Sequence, residues 1–367
     1  MKKIHYVTYS SIPSPLPSSL QIIKVCENLV RNKFDVTLIK PGTGNKKISI
    51  KKYYGLKHDV KIKEFSSIDS FPQGFKFYLF SIYCLFFILK KRNSVTITRN
   101  YFICFLLLLF KKKVILEIHH DTLIEGRITK IILRYSNFLN NINLINIVAI
   151  SNAVKNLFIK KYKVMSKKIT VLPSGSSIKI NQRPKFCFNK RLKIGYFGSI
   201  SPSKGISTII KLSKIDQEND YYIYGGNDEE IRKLKQRNLN KNLFLNKNIP
   251  YSGIEKIMLK MDILTIPYTK VIRSFGEVDE ISKYTSPLKL FDYLAVGKII
   301  VSSDLKVLRE VISNKNALFV NNHENIFEWK RNINLAKNIR KKTFIMSINN
   351  FRLSKKYDHF KRVKKYI

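Results

Sequence analysis

Two stretches in the second half of the chain have residue types and spacing that suit a diphosphate. Ile194-Gly195-Tyr196-Phe197-Gly198-Ser199 reads as a strand ending in a turn of small residues, and Pro202-Ser203-Lys204-Gly205 leads into an apolar helix from Ile206. Lys204 at that helix start places a cation beside free backbone N–H groups, an arrangement that favours an anion. The second stretch is SPLKLFDYLAVGK, Ser286 to Lys298. Ser286 is placed to cap a helix with Pro287 in its first position, so that first-turn N–H groups again face an anion. Asp292, deeper on the helix, offers a carboxylate to two ribose hydroxyls. The plainer readings are a surface lysine at 204 and a solvated helix carboxylate at 292. Gly297 ends the helix, and Ile299 to Val301 forms the next strand.

Other chemistries lack their signatures. Gly42-Thr43-Gly44 has no third glycine and reads as a turn, not a dinucleotide fingerprint. The chain contains no Walker A motif, no Asp-x-Asp pair for a divalent ion and no Gly-x-Ser-x-Gly elbow, so neither metal, P-loop nor serine-triad catalysis is expected. Cys26, Cys84, Cys104 and Cys187 form no C-x-x-C pair, which indicates a reduced compartment and no zinc framework.

To position such residues the chain must bury a core, and its composition permits this. Of 367 residues, 44% are hydrophobic and 25% charged, which excludes a disordered tail, a collagen and a small disulfide scaffold. The balance of charge is less ordinary. Sixty-eight Lys and Arg against 25 Asp and Glu give +43, a surface that attracts polyanions: nucleic acid, an anionic membrane face or phosphorylated substrates. The N-terminus lacks the apolar core and cleavage site of a secretory signal. Two apolar runs, Phe77 to Leu89 and Tyr101 to Phe110, test for a membrane span. The longer reaches about 20 Å as a helix, against about 30 Å of hydrocarbon, so neither spans. They are expected to be buried helices of an α/β domain, or helices with one face on a membrane surface.

Strand-like and helical segments alternate. Strands are expected at Ile4 to Thr8, Phe34 to Lys40, Val95 to Thr98, Val114 to Ile118, Ile147 to Ile150 and Ile169 to Leu172. Ser18 or Ser19 is expected to cap the first helix. After a basic linker at Asn181 to Pro184 the alternation restarts with Ile194 to Gly198, Tyr221 to Tyr224, Leu243 to Leu245, Ile263 to Ile266 and Ile299 to Ser302. Such alternation implies parallel sheets covered on both faces, with ligands at the carboxyl ends of the strands. Two doubly wound domains are expected, over residues 1–185 and 186–345, with a basic helical tail at 346–367 packing back on the first.

These residues resemble glycosyltransferase family 4, a GT-B family rich in bacterial polysaccharide enzymes. The resemblance runs through Ser10 to Pro15, Asp35-Val36-Thr37-Leu38, Glu117-Ile118-His119, Ile150 to Ala153 and Val171 to Gly175. It continues through Phe197-Gly198-Ser199 with Lys204-Gly205, Tyr224-Gly225-Gly226, Asp262 to Pro267, and Ser286 to Leu305. It implies two Rossmann-like domains facing a cleft, the first binding an acceptor and the second a nucleotide sugar. It further implies transfer of a sugar to a hydroxyl with retained anomeric configuration and without metal or other cofactor. By resemblance Lys204 contacts the donor diphosphate, with Gly198, Ser199, Gly225, Ser286, Pro287, Leu288 and Lys289 forming the phosphate and sugar cradle. Asp292 takes the second position of the family's acidic pair. The first falls at Tyr284, and the helper arginine's place is Ser199. His119, or its neighbour His120, stands near the reacting sugar, and Ser18 and Ser19 are acceptor contacts.

The resemblance implies a lipid-linked saccharide acceptor and a cytoplasmic protein bound peripherally to the inner face of the plasma membrane, with no nucleic-acid partner. Two other readings compete. A nucleic-acid-binding protein would want a basic stripe interleaved with aromatics, whereas the basic residues here are spread along the chain. A GT-B nucleotide-sugar epimerase would want the acidic pair that Tyr284 interrupts.

Overall fold

The computed structural model describes residues 2–42, 49–65, 73–120, 126–180, 190–236, 240–274 and 279–367. The chain divides into two compact units, Met1–Ser174 with His359–Ile367, and Gly175–Asp358. The sequence reading puts the division at 185/186 and gives the first domain a longer tail, 346–367. The linker at 181–184 and most of the Gly42-Thr43-Gly44 turn lie outside the described residues.

The first unit runs β1 (Lys3–Val7), α1 (Pro17–Arg31), β2 (Asp35–Pro41), α2 (Ile50–Tyr54), β3 (Lys61–Phe65), α3 (Gln73–Leu89), β4 (Ser94–Thr98), α4 (Tyr101–Leu109), β5 (Lys113–Ile118), α5 (Arg127–Tyr135), β6 (Leu144–Ala149), α6 (Asn152–Tyr162) and β7 (Ile169–Val171). Its seven strands are all parallel, in the order β3-β2-β1-β4-β5-β6-β7. Central strands carry apolar residues on both faces because helices cover both, and Ile4, Ile97, Ile115 and Val148 are fully or almost fully buried. β3, KIKEF, was not expected from the sequence. It is an exposed edge strand without apolar alternation, held by its register on β2.

The second unit runs β8 (Lys193–Phe197), α7 (Ile206–Ile215), β9 (Asp220–Tyr224), α8 (Asp228–Lys235), β10 (Leu243–Asn246), α9 (Tyr251–Met258), β11 (Ile263–Ile266), α10 (Leu288–Ala295), β12 (Ile299–Ser303), α11 (Lys306–Arg309), β13 (Ala317–Val320), α12 (Ile326–Asn338) and α13 (Arg340–Ser354). Six parallel strands lie in the order β10-β9-β8-β11-β12-β13. The last helix, α14 (His359–Val363), packs on α1 in the first unit. Strand order reverses between β1 and β4 in one sheet and between β8 and β11 in the other, and the carboxyl ends beside those points are where such sheets bind ligands.

Two expected caps are not made. α1 begins at Pro17 after Leu16, which gives no side-chain cap, so Ser18 and Ser19 lie inside the first turn. Ser19 is instead buried, its hydroxyl donating to Ser11 O at 2.8 Å. α10 begins at Leu288, with Pro287 as its cap residue and no side-chain cap from Ser286. In both cases proline's fixed φ starts the helix in place of a capping hydroxyl.

Candidate functional site

Each unit holds a buried polar cluster at the carboxyl ends of its central strands. In the first unit Glu117 is on β5 and His119 lies two residues on, just past the strand end, so both side chains project to the same side of the sheet. Tyr6 from β1, two strands away, and Arg99, just past the intervening β4, meet them. Tyr6 donates its hydroxyl proton to Glu117 Oε2 at 2.8 Å, and Arg99 Nε donates to the same oxygen at 3.2 Å. On the other side Arg362 of α14 donates from Nη2 to Glu117 Oε1 at 3.1 Å. Arg362 also donates from Nε to Pro173 O at 2.7 Å and from Nη1 to the Tyr366 hydroxyl. One buried carboxylate thus ties three strand ends to the last helix of the chain. Burial alone would raise the Glu117 carboxyl, but Arg99, His119 and Arg362 hold it well below the usual carboxylate range.

His119 Nε2 lies 3.2 Å from Glu117 Oε1. Burial and then the Arg99 charge lower the imidazole to about 4, against the opposing pull of Glu117. The ring is therefore neutral at physiological pH and can exchange hydrogen bonds with a hydroxyl. His120 beside it is partly exposed. Both candidate histidines are thus partly exposed, and His119 is the one set against the Glu117 carboxylate. Ser18 is half-buried on α1, and Ser19 accepts from Ser14 Oγ at 2.8 Å.

The second cluster lies around β8 and the start of α10. Gly198 ends β8 with φ of 143°, and a Cβ there would sit 2.6 Å from Lys289 Nζ, so only glycine lets the lysine reach this turn. Gly225, at the end of β9, packs so tightly that a Cβ would lie 1.8 Å from Gly198 O. The Lys289 ammonium is buried with no hydrogen-bond partner. It lies 3.8 Å from the centroid of the Tyr196 ring and 5.1 Å from that of Tyr268. Lys204 approaches the same Tyr268 ring, at 5.2 Å, and donates to Arg273 O at 2.6 Å. Burial, and then the Lys204 charge, pull Lys289 well below the usual lysine range. Two cations 85 positions apart in sequence therefore share one aromatic ring. Together they concentrate positive charge beside the Gly198 turn, where an anion would be favoured.

Ser199 contributes its carbonyl, which accepts from the Tyr196 hydroxyl at 2.8 Å. Ser286, Pro287 and Leu288 form the approach to α10 that carries Lys289. Asp292 is only 5% exposed, and its Oδ1 accepts from Ser176 Oγ at 2.6 Å and from the Tyr251 hydroxyl at 2.9 Å. The carboxylate expected to meet ribose hydroxyls is thus buried within a cluster of the protein's own hydroxyls, and the plainer reading, a solvated helix carboxylate, does not describe it. Among the described residues, no group of three or more His, Cys, Asp or Glu could hold a metal ion.

Tyr6, Arg99, Arg362 and Tyr366 in the first unit, and Tyr196, Tyr268, Ser176 and Tyr251 in the second, were not read as site residues from the sequence. The tyrosines look like ordinary core aromatics. Arg362 is one cation in a basic tail. Only the Glu-x-His spacing signalled that Glu117 and His119 act together.

Residues 178–360 match the family described as Glycosyl transferases group 1. The fold is shared over nearly whole chains with HepE of Anabaena, solved with UDP and glucose, at TM-score 0.72 and 14% identity, covering 100% of this chain and 98% of that one. Sucrose-phosphate synthase from Thermosynechococcus elongatus gives TM-score 0.74 at 11% identity, with 100% and 97% covered. A TarM variant of S. aureus, solved with Fondaparinux, alpha-GlcNAc-glycerol and UDP, gives 0.71 at 13% identity, with 100% and 99% covered. No curated relative matches the chain.

Proposed function

We propose that this GT-B chain, whose residues 178–360 match the group 1 glycosyl transferases, moves a sugar from a nucleotide-diphosphate donor to a hydroxyl of a lipid-linked saccharide, with retention, in bacterial cell-envelope polysaccharide synthesis. The observation that carries the donor half is the Lys289 ammonium, buried without a hydrogen-bond partner beside the Gly198 turn. A diphosphate brought to that turn would supply the missing counter-charge. Lys289 and Lys204 would then stabilise the charge that develops on the leaving diphosphate as the glycosidic bond breaks, as fixed electrostatic groups and without a metal. Asp292 with Ser176 and Tyr251 would receive the ribose hydroxyls. Proteins of the same fold have been solved with UDP or with UDP and a sugar, which supports a nucleotide-sugar donor.

On the first unit, neutral His119 would hydrogen-bond the reacting sugar, held in orientation by Glu117. The acceptor tail would remain in the bilayer, so the protein works peripherally at the cytoplasmic face. Among the described residues no helix is long and apolar enough to cross a membrane.

The test is a panel of nucleotide sugars offered to the purified full chain, read as donor hydrolysis and as transfer to lipid-extract acceptors. Hydrolysis of one donor, with the matching nucleoside diphosphate raising the melting temperature near its binding constant, is expected. Stabilisation by generic RNA but by no nucleoside diphosphate would reject the reading in favour of a nucleic-acid binder.

A further inference from the structure

Of the two apolar runs, α4 is largely spent on the core: Tyr101, Ile103, Cys104, Leu107 and Leu108 are buried. α3 exposes Phe75, Ile82, Tyr83 and Phe86 without a matching row of cations on the helix, whereas the neighbour of α4, α5, which packs on it, is both amphipathic and basic. Its inner face is Thr129 and Leu133, 1% and 5% exposed. Its outer face carries Ile128, Ile131 and Tyr135, which are 47%, 58% and 76% exposed. Their spacing of three and four puts them in one stripe. One position earlier in each case stand Arg127, Lys130 and Arg134, all exposed, forming a parallel row of cations. The helix, RITKIILRY, contains no acid, and among the described residues none of the three cations meets a carboxylate. Leu109 and Phe110 at the end of α4, exposed by 60% and 53%, add apolar surface in the same layer and are followed by Lys111, Lys112 and Lys113.

Three side chains so exposed are costly in water unless something covers them. A protein partner is disfavoured by the adjoining row of exposed cations, since charged groups are depleted at the centre of protein interfaces. An anionic bilayer satisfies both rows at once. Isoleucine and tyrosine enter the headgroup boundary, while arginine and lysine stay among the lipid phosphates. At 1.5 Å per residue the helix is about 14 Å long, suited to lying in the interface and far too short to cross it. We propose that α5 is the membrane-docking element of this protein, lying flat on an anionic leaflet. This rests on the peripheral reading above and goes further by assigning it to one helix.

The test is flotation of the full chain with phosphatidylglycerol-containing or pure phosphatidylcholine vesicles, at low and high salt. Wild type is expected to float with the anionic vesicles and to be released by salt. Each cation near an anionic leaflet contributes a factor of roughly five. The variant Arg127→Gln/Lys130→Gln/Arg134→Gln should therefore lose about two orders of magnitude in partitioning. Ile128→Ser/Ile131→Ser/Tyr135→Ser should lose binding at every salt concentration. Arg340→Gln/Lys341→Gln/Lys342→Gln, at three exposed positions in the first turn of α13, removes the same charge elsewhere and should float like wild type. Retained stabilisation by nucleoside diphosphate shows that each variant is folded. If the α5 variants float as well as wild type, or the α13 variant loses as much as they do, the helix is not the docking element although the peripheral reading stands. If wild type floats with neither vesicle, both readings fail. If exposure of α5 is instead relieved by a second copy, wild type will dimerise in solution, the serine variant will not, and the proposal is overturned.

Discussion

Glu117 in the first unit meets two guanidiniums, a tyrosine hydroxyl and a histidine, whereas Lys289 in the second meets, among the described residues, aromatic rings and the field of another lysine. Both are buried ionisable groups at the carboxyl ends of central strands. The first has been given its counter-charges by the chain itself, so it serves rigidity: β1, β4, β5 and α14 are tied at one point, with His119 Nε2 3.2 Å from the same carboxylate. The second has been left without its counter-charge. Burying an unpaired ammonium is expensive, and such a cost is retained where a ligand removes it. A protein-satisfied cluster holds a geometry, and an unsatisfied one awaits an anion.

The contrast breaks most visibly at Glu117. Removing the carboxylate in Glu117→Gln leaves Arg99 and Arg362 buried without an acid, which is expected to cost roughly 3–5 kcal/mol of stability in urea unfolding. An unchanged unfolding midpoint would mean that the network is not under charge control. His119 gives the next effect. Its imidazole sits at about 4 instead of 6.5, so between those values the unfolded chain binds the proton and the folded chain does not. Stability is therefore unaffected above 6.5 and falls as the pH drops toward 4, by on the order of 3 kcal/mol. His119→Gln should lose correspondingly less over the same window, measured by unfolding at stepped pH. It should also suppress transfer while leaving nucleoside diphosphate binding intact, with His120→Ala as the comparison.

In the second unit the same kind of change should act on function and spare the fold. Lys204→Ala is expected to lower turnover on the order of 10²-fold, the usual consequence of losing a preorganised electrostatic group, with little change in melting temperature. Normal turnover in a folded variant would remove Lys204 from the chemistry. The smallest effect sharpens the comparison furthest. Lys289→Met keeps the length of the side chain and removes a buried amino group that has no hydrogen-bond partner, so stability should stay level or rise. Affinity for nucleoside diphosphate should fall by about 1.5–3 kcal/mol, the worth of a charge-assisted hydrogen bond. Because Lys289 is depressed in the free protein, wild-type binding should also take up a proton, detectable as buffer-dependent heat in titration calorimetry and absent in the variant.

Much of this was legible in the residues. Apolar runs such as Ile194 to Gly198 and Ile299 to Ser302 are long and β-branched enough to be read as buried parallel strands, and their alternation with helical segments announced doubly wound sheets. Lys204 was picked out because a glycine and a helix start adjoin it, which are local signals, whereas Lys289 entered only through the resemblance. β3 was missed because an edge strand needs only one neighbour and no apolar pattern. Ser18, Ser19 and Ser286 were misread as caps because a proline nearby could start each helix without them.

By itself, then, the sequence determined the order of elements, the class of fold and the cationic character of the turns after β8 and before α10, since each depends on composition within a few neighbouring residues. It also set the amphipathic spacing of α5, although whether that stripe faces water or core depends on where α4 lies. The tertiary structure alone decided which charges are answered. Arg362 reaches Glu117 across 245 positions, and Lys204 and Lys289 converge on Tyr268 across an ordering of strands that periodicity does not encode. The physical reason is that pairing energies fall off over a few ångströms, so the state of a buried charge is set by its neighbours in space, and those exist only once the sheets have closed.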